Sequence, residues 1–158
     1  MTIIIDGIPG IRALANKPLG KSDWLEITQD MVNRFADVTQ DHNWIHIDPE
    51  KAASSPFKGT IAHGFLTMSL LVPLKKSVME LRNVGMGLNY GFEKTRLPSA
   101  VPVGSKIRCD ITMGDVLDVG DGVQYTLHCV VECDRSEKPA LVTDWVLRNY
   151  PSAQSRVK

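Results

Sequence analysis

The sequence predicts an α+β fold, an antiparallel β-sheet wrapped around one long central helix, and two stretches carry that expectation. In residues 62–80, Phe65, Leu66, Met68, Leu70, Leu71, Val72 and Leu74 cover nearly the whole circumference of a helix, and a helix that is apolar all round is a buried one. From residue 84 the hydrophobic period falls to two. Ile107, Cys109, Ile111 and Met113 alternate with Lys106, Arg108, Asp110 and Thr112, and Val123, Tyr125, Leu127, Cys129, Val131 and Cys133 alternate with mostly polar partners. A sheet with one apolar face and a helix with no polar face pack best by wrapping the first around the second. A chain of 158 residues suits one such domain, 1–158, with a substantial core.

Composition narrows the function classes. Hydrophobic residues at 43% and charged ones at 23% are ordinary for a globular chain. Lys plus Arg equals Asp plus Glu, 18 each, so no basic surplus points to nucleic acid. No uninterrupted apolar run is long enough for a bilayer, and the opening MTIIIDGIPG lacks the basic flank of a signal peptide. Cys109, Cys129 and Cys133 contain no C-x-x-C pair and read as free thiols of a reducing compartment. The expectation is a soluble cytoplasmic protein.

The elements follow in chain order. Residues 1–22, rich in Gly and Pro and without a clear period, are expected to be a leader packed on the domain. Trp24, Leu25 and Ile27 make a short extended piece. Thr28 can cap a helix with Asp30 in its first turn, and Met31, Val32, Phe35, Ala36 and Val38 follow at helical spacing. Residues 39–47 must curl, because Asp41 and His46 stand five apart, about 140° around a helix and on opposite faces of a strand. Asp48-Pro49 opens a short helix that Ser54, Ser55 and Pro56 end. The central helix spans 62–80, with Pro73 kinking it and Lys75, Lys76 and Glu80 marking its emergence into solvent. Strands are expected near 86–96 and 140–150, flanking a hairpin turned at Gly120-Asp121-Gly122. Residues 151–158 are expected to be a flexible tail.

The chemistry-bearing residues form two clusters. Asp41, Asn43 and His46 lie in the curl, and loops on a rigid scaffold are common places for chemistry, although all three types are also frequent in ordinary turns. The second cluster, Ile61-Ala62-His63-Gly64, delivers the chain into the central helix. The first N–H groups of a helix lack internal acceptors and sit at its positive end, and Gly64 has no side chain to block approach. That suits the oxygen of a thioester carbonyl as it gains negative charge, while a close helix–sheet contact would also explain the glycine. An acid/base pair beside an oxyanion donor can add or remove a proton next to a thioester. A metal held by His42, His46, His63 and Asp41 is not expected, because Asp48-Pro49 ends any helix there and no further Cys or His cluster supports one. His128 lies on a polar strand face and the cysteines on apolar ones. Lys94, Arg96, Lys75 and Lys76 could meet the phosphates of a carrier, or be solvated in the usual way.

Taken together, Phe35, Thr39, Asp41, Asn43, His46 and Ala52, followed by Ile61-Ala62-His63-Gly64 and the run FEKTRLPSAVPVG at 92–104, resemble the MaoC-like dehydratases, that is, (R)-specific enoyl-CoA hydratases of the hydratase 2 type. The resemblance covers roughly residues 22–150. It implies a hot-dog fold, dimeric through joined sheets, and reversible hydration of a trans-2-enoyl thioester, on CoA or acyl carrier protein, to the (R)-3-hydroxyacyl form. Asp41 and His46 would be the catalytic dyad, Asn43 would hold the loop, and the Gly64 amide, with Ala62 and His63 beside it, would bind the thioester oxygen. Trp44, Arg96 and Lys94 would be acyl-pocket or CoA contacts. No cofactor is needed, since water and the thioester carry the reaction. Two positions depart from the family pattern: Gln40 stands where Gly is common and Trp44 where Pro is common. The loop must therefore reach its shape by other means, with Trp44 lining an acyl tunnel or lying on the dimer surface. Two rivals remain, a hot-dog acyl-CoA thioesterase and a non-catalytic acyl-thioester-binding protein. The first commonly places its acid on the central helix, where residues 65–80 offer only Glu80.

Overall fold

The computed structural model describes residues 2–152. Its main body is a six-stranded antiparallel sheet. Strands β6 (Lys106–Val119), β7 (Gly122–Cys133) and β8 (Ser136–Pro151) form a meander, β5 (Val84–Arg96) pairs with β8 at one edge, and the short β2 (Pro18–Lys21) and β3 (Leu25–Glu26) both pair with β6. The period-two pattern is realised in β7, where Val123, Tyr125, Leu127, Cys129, Val131 and Cys133 are all buried. The β6–β7 hairpin closes as Val119 pairs with Gly122. Gly120 there takes a φ of +60°, which two-residue hairpins require of their first central residue. The three cysteines are free and buried.

Helices α5 (Gly64–Ser69) and α6 (Leu71–Val78) lie against the inner face of the sheet. Their Leu66, Leu71, Leu74 and Val78 join Ile107, Met113, Tyr125, Leu127 and Trp145 in one core. The expected single helix over 62–80 is corrected in three respects. It breaks at Leu70, because Pro73 has no N–H to give the Ser69 carbonyl and its ring crowds that oxygen. It ends at Val78, and Glu80 belongs instead to strand β4 (Met79–Arg82), where it pairs with Arg82 at 2.8 Å. Nor is it buried all round, since Phe65 is 74% exposed and Val72 38%. Lys75, expected to emerge into water, lies with its Nζ 5.2 Å above the Trp145 ring, and burial pushes its pKa down.

The first residues carry more structure than a leader without period suggests. β1 (Ile3–Asp6) pairs in parallel with β4, a short helix α1 (Gly7–Ala13) follows, and Ile5, Ile11 and Leu19 sit in the core. At the other end Pro151 is the last residue of β8 and pairs with Val84, which corrects the tail expectation at 151, and the remainder of that expectation, residues 153–158, lies outside the described residues.

Strand β5 contrasts with its neighbours. Its Met86, Leu88, Tyr90 and Phe92 are all large and all exposed. Its register on β8 shifts between Asn89 and Gly91. Phe92, though exposed, stacks on Trp145 at 5.9 Å, while Tyr90 receives the Arg148 guanidinium at 3.4 Å. Among the described residues no helix is long and apolar enough to cross a membrane.

Candidate active site

The curl between Asp41 and His46 is built from helix ends. Helix α2 (Gln29–Thr39) starts at Thr28, whose hydroxyl accepts from the Met31 amide, and stops at Gln40 in the left-handed conformation at φ +58°. A residue without Cβ strain is the usual occupant of such a position; here glutamine takes the conformation itself. Asn43 then caps a one-turn helix α3 (Trp44–Ile47) by accepting from the Ile45 amide. Trp44 occupies the first helical position, where proline is favoured for its preset φ. A cap and a helical turn thus replace the Gly and Pro, and this turn was not foreseen in the curl. Asp48 caps α4 (Pro49–Ala53) with Pro49 at its start, as expected.

This chain of caps brings the two clusters together. A ligating atom from each of Asp41, His46 and His63 lies within 4.8 Å of the others, a span that one water bridges with two hydrogen bonds of about 2.8 Å. His46 Nδ1–H donates to the Ile61 carbonyl at 2.7 Å. The carbonyl can only accept, so neutral His46 keeps its lone pair on Nε2. Burial is the main cause that pushes the His46 pKa below its ordinary 6.5, and the neighbouring His63 adds to it, against the Ile61 bond and Asp41, which pull it up. Asp41 is exposed and therefore open to water.

His63 is 2% exposed. Its Nε2–H donates to the Asp41 backbone carbonyl at 3.0 Å, and its ring stacks on His46 with centroids 3.8 Å apart and planes 27° from parallel. Ala62 is pinned by its amide to the Val101 carbonyl at 2.8 Å, and Ile61 bridges to Pro102. His63 is the N-cap of α5, so Gly64 is its first helical residue, one of the positions whose N–H finds no acceptor inside the helix. A Cβ on Gly64 would lie 2.6 Å from Leu97 Cδ1. The close contact weighed as an ordinary reason for this glycine therefore exists, with the loop after β5 as its partner.

The site opens into a cavity of about 410 Å³, within the range of small-molecule pockets. Apart from His46 and Gly64 its walls are largely apolar, including Ile61, Val101 and Ala140, with Phe57 and Leu97 on the lips, each 47% exposed. Among the described residues the walls include none of Trp44, Lys94 or Arg96. Trp44 stands near the Lys51 ammonium, 4.9 Å from its ring; Lys94 pairs with Asp144 at 3.3 Å; and Arg96 donates to the Thr95 carbonyl at 2.7 Å. His42 donates to Asp37 at 2.9 Å. Phe57, Leu97 and the Ile61 carbonyl were missed in the sequence. The Leu97-Pro98 break was the available signal for one lip, and a backbone acceptor leaves none.

Asp41, His46 and His63 raise the question of a metal. An imidazole binds a cation in its ring plane at about 2 Å. Two rings stacked 3.8 Å apart and only 27° from parallel have planes that meet far beyond that distance, so the donor set does not fit one ion.

Comparison with known proteins adds the family. The pattern of the MaoC like domain matches residues 11–132. The chain is 45% identical over 144 residues to a 3-hydroxyacyl-thioester dehydratase Z of Mycobacterium tuberculosis, covering 90% of this chain and 95% of that one. Among solved structures, a monoamine oxidase regulatory protein from Archaeoglobus fulgius superposes with a TM-score of 0.75 at 19% identity, covering 95% and 98% of the two chains. An unliganded R-hydratase from Pseudomonas aeruginosa superposes with a TM-score of 0.66 at 21% identity, covering 86% and 87%. These neighbours share the hot-dog-like fold.

Proposed function

The chain belongs to the MaoC-like family, and from that premise we propose that it is a hydro-lyase acting on acyl thioesters, adding water reversibly to a trans-2-enoyl-CoA to give the (R)-3-hydroxyacyl-CoA. The observation that carries this reading is the convergence of Asp41 and His46 beside His63, with His46 and Gly64, the first residue of α5, lining one largely apolar cavity. The acyl chain enters the cavity with its carbonyl oxygen toward the Gly64 N–H. Asp41 and His46 hold one water at the β-carbon. His46 Nε2 takes its proton as the hydroxyl bonds to that carbon, the Gly64 amide stabilises the enolate oxygen, and the proton is then delivered to the α-carbon. One water is added, and the dyad ends as it began. The reaction needs no cofactor and no metal. Asn43 acts by capping the helix that carries His46.

The thioesterase reading loses its one candidate acid on the central helix, because Glu80 lies on β4. A non-catalytic binder would not need the dyad. Stereochemistry rests on the likeness to R-hydratases in name and fold.

The exposed apolar strand β5 is the edge at which the sheets of two copies would join, since long apolar edges are otherwise covered or blunted. Arg96, adjacent in sequence to Leu97 at the lip, would meet carrier phosphates in this reading. Purified protein with crotonyl-CoA and longer trans-2-enoyl-CoAs, followed by loss of the conjugated enoyl absorbance and chiral analysis of the product, tests the proposal. Release of free CoA, or binding without turnover, would overturn it.

A further inference from the structure

His63 is hidden behind the residues that would meet substrate. It sits between two rings, His46 at 3.8 Å and the tilted Phe35 at 5.0 Å. Its Nε2–H is committed to the Asp41 carbonyl, while Nδ1 is buried without a hydrogen-bond partner. Burial of an unpaired polar atom is costly, and a merely packed residue at this place would not need one. The ring touches both members of the dyad in different ways: it ties down the backbone of one and lies flat against the side chain of the other.

We propose that His63 is a positioning residue of the site, fixing Asp41 through the Nε2–H bond and His46 through the ring stack, so that both aim at one water. The inference rests on the hydratase reading for its consequences, though not for its geometry. The same stack leaves less room for solvent around His46 and so assists in keeping it uncharged. The titratable groups facing His46 are Asp41 from its own loop and His63 from the cap of α5. Residues 97–101, across the cavity, bring no charged side chain.

Two substitutions separate the contacts. His63→Phe keeps a ring for the stack and removes the donor. Misplaced dyad geometry should lower kcat by about 10–100-fold, with KM little changed and the pH profile kept. His63→Gln offers an amide N–H near the old Nε2 and removes the ring. It restores the tie to Asp41 but leaves His46 without its stack, so kcat should recover only in part, while the acid limb of kcat/KM moves up toward the ordinary histidine value. Wild-type kcat in both variants together with an unmoved pH profile would show that His63 only packs. Imidazole ¹⁵N–¹H correlation spectra of the wild-type protein need no variant: Nε2–H on His63 and Nδ1–H on His46 are expected, and the proton on Nδ1 alone in His63 overturns the proposal. A wild-type protein that binds but never hydrates enoyl thioesters would defeat the hydratase reading and leave these spectra as the judge of the geometry.

Discussion

Two Asp/His pairs invite comparison, Asp41–His46 and Asp144–His128, and the one joined by a direct hydrogen bond is not at the candidate active site. On the outer face of the sheet His128 Nδ1–H donates to the Asp144 carboxylate at 2.6 Å, and Lys94 approaches the other oxygen at 3.3 Å. Burial alone would push the Asp144 pKa up, but the bonds from His128 and Lys94 outweigh it and hold the carboxyl below its ordinary value. That pair is saturated by its own partners. Asp41 and His46 are instead each anchored elsewhere, one by its backbone carbonyl to His63 and the other by Nδ1 to Ile61. Their side chains lie a few ångströms apart, with His46 lining the cavity beside Gly64 at a helix start. An acid and a base that must handle a substrate's proton are better held apart than bonded together.

The contrast breaks if the two pairs respond alike to mutation. Asp41→Asn and His46→Gln should each cost about 10²–10⁴-fold in kcat with the unfolding midpoint little changed, read in the enoyl-CoA assay and by thermal melting. Gly64→Ala comes next. Its new methyl meets Leu97 Cδ1, so kcat/KM should fall by about tenfold, and Leu97→Ala in the same chain should restore much of it. Failure of that rescue would locate the damage in the amide geometry instead.

The pH profile sharpens the comparison further. With the His46 pKa lowered, its base form persists below pH 6.5, so the acid limb of kcat/KM should lie below 6.5. A limb above that value would contradict the burial of His46. The stability sign is the same: a histidine whose folded pKa is depressed stabilises fully above its unfolded value, and this is lost as pH falls through the unfolded and then the folded pKa.

At the outer pair, His128→Gln should leave kcat unchanged and cost about 1 kcal/mol in denaturant unfolding, the usual net worth of one hydrogen bond. The contribution of Asp144, whose pKa is depressed, is present above its unfolded value and vanishes as pH falls through the folded one. The smallest effect is none: dialysis against a chelator should leave the hydration rate as it was, and a loss restored by added metal would reopen the triad of Asp41, His46 and His63.

Much of this arrangement could be read from residue types. Thr28 and Asp48 announced their helix starts, the alternation in β6 and β7 announced buried strands, and Asp41, His46 and Gly64 marked a candidate site. What escaped depends on groups that no side chain advertises. The left-handed Gln40 replaces an expected glycine because a non-glycine residue can bear that conformation within a well-held loop. His63 reads as a member of an oxyanion turn, and its bonding to the Asp41 carbonyl is invisible because every residue has a carbonyl. The helix that looked apolar all round has Phe65 and Val72 exposed, because hydrophobic pattern reports a tendency to be covered and not the contacts that are made.

The first strands also have an implication for how the protein is made. Ile3 pairs with Met79, Lys21 with Asp110 and Leu25 with Ile107, so during synthesis these strands cannot dock until partners about 80 residues further on have followed. At about 5–20 residues per second, Ile5, Ile11 and Leu19 wait several seconds with their apolar side chains unmatched. Pairings so distant in sequence also slow folding itself. Protection of these apolar side chains during that interval bears on the yield of folded protein as directly as a contact in the finished core.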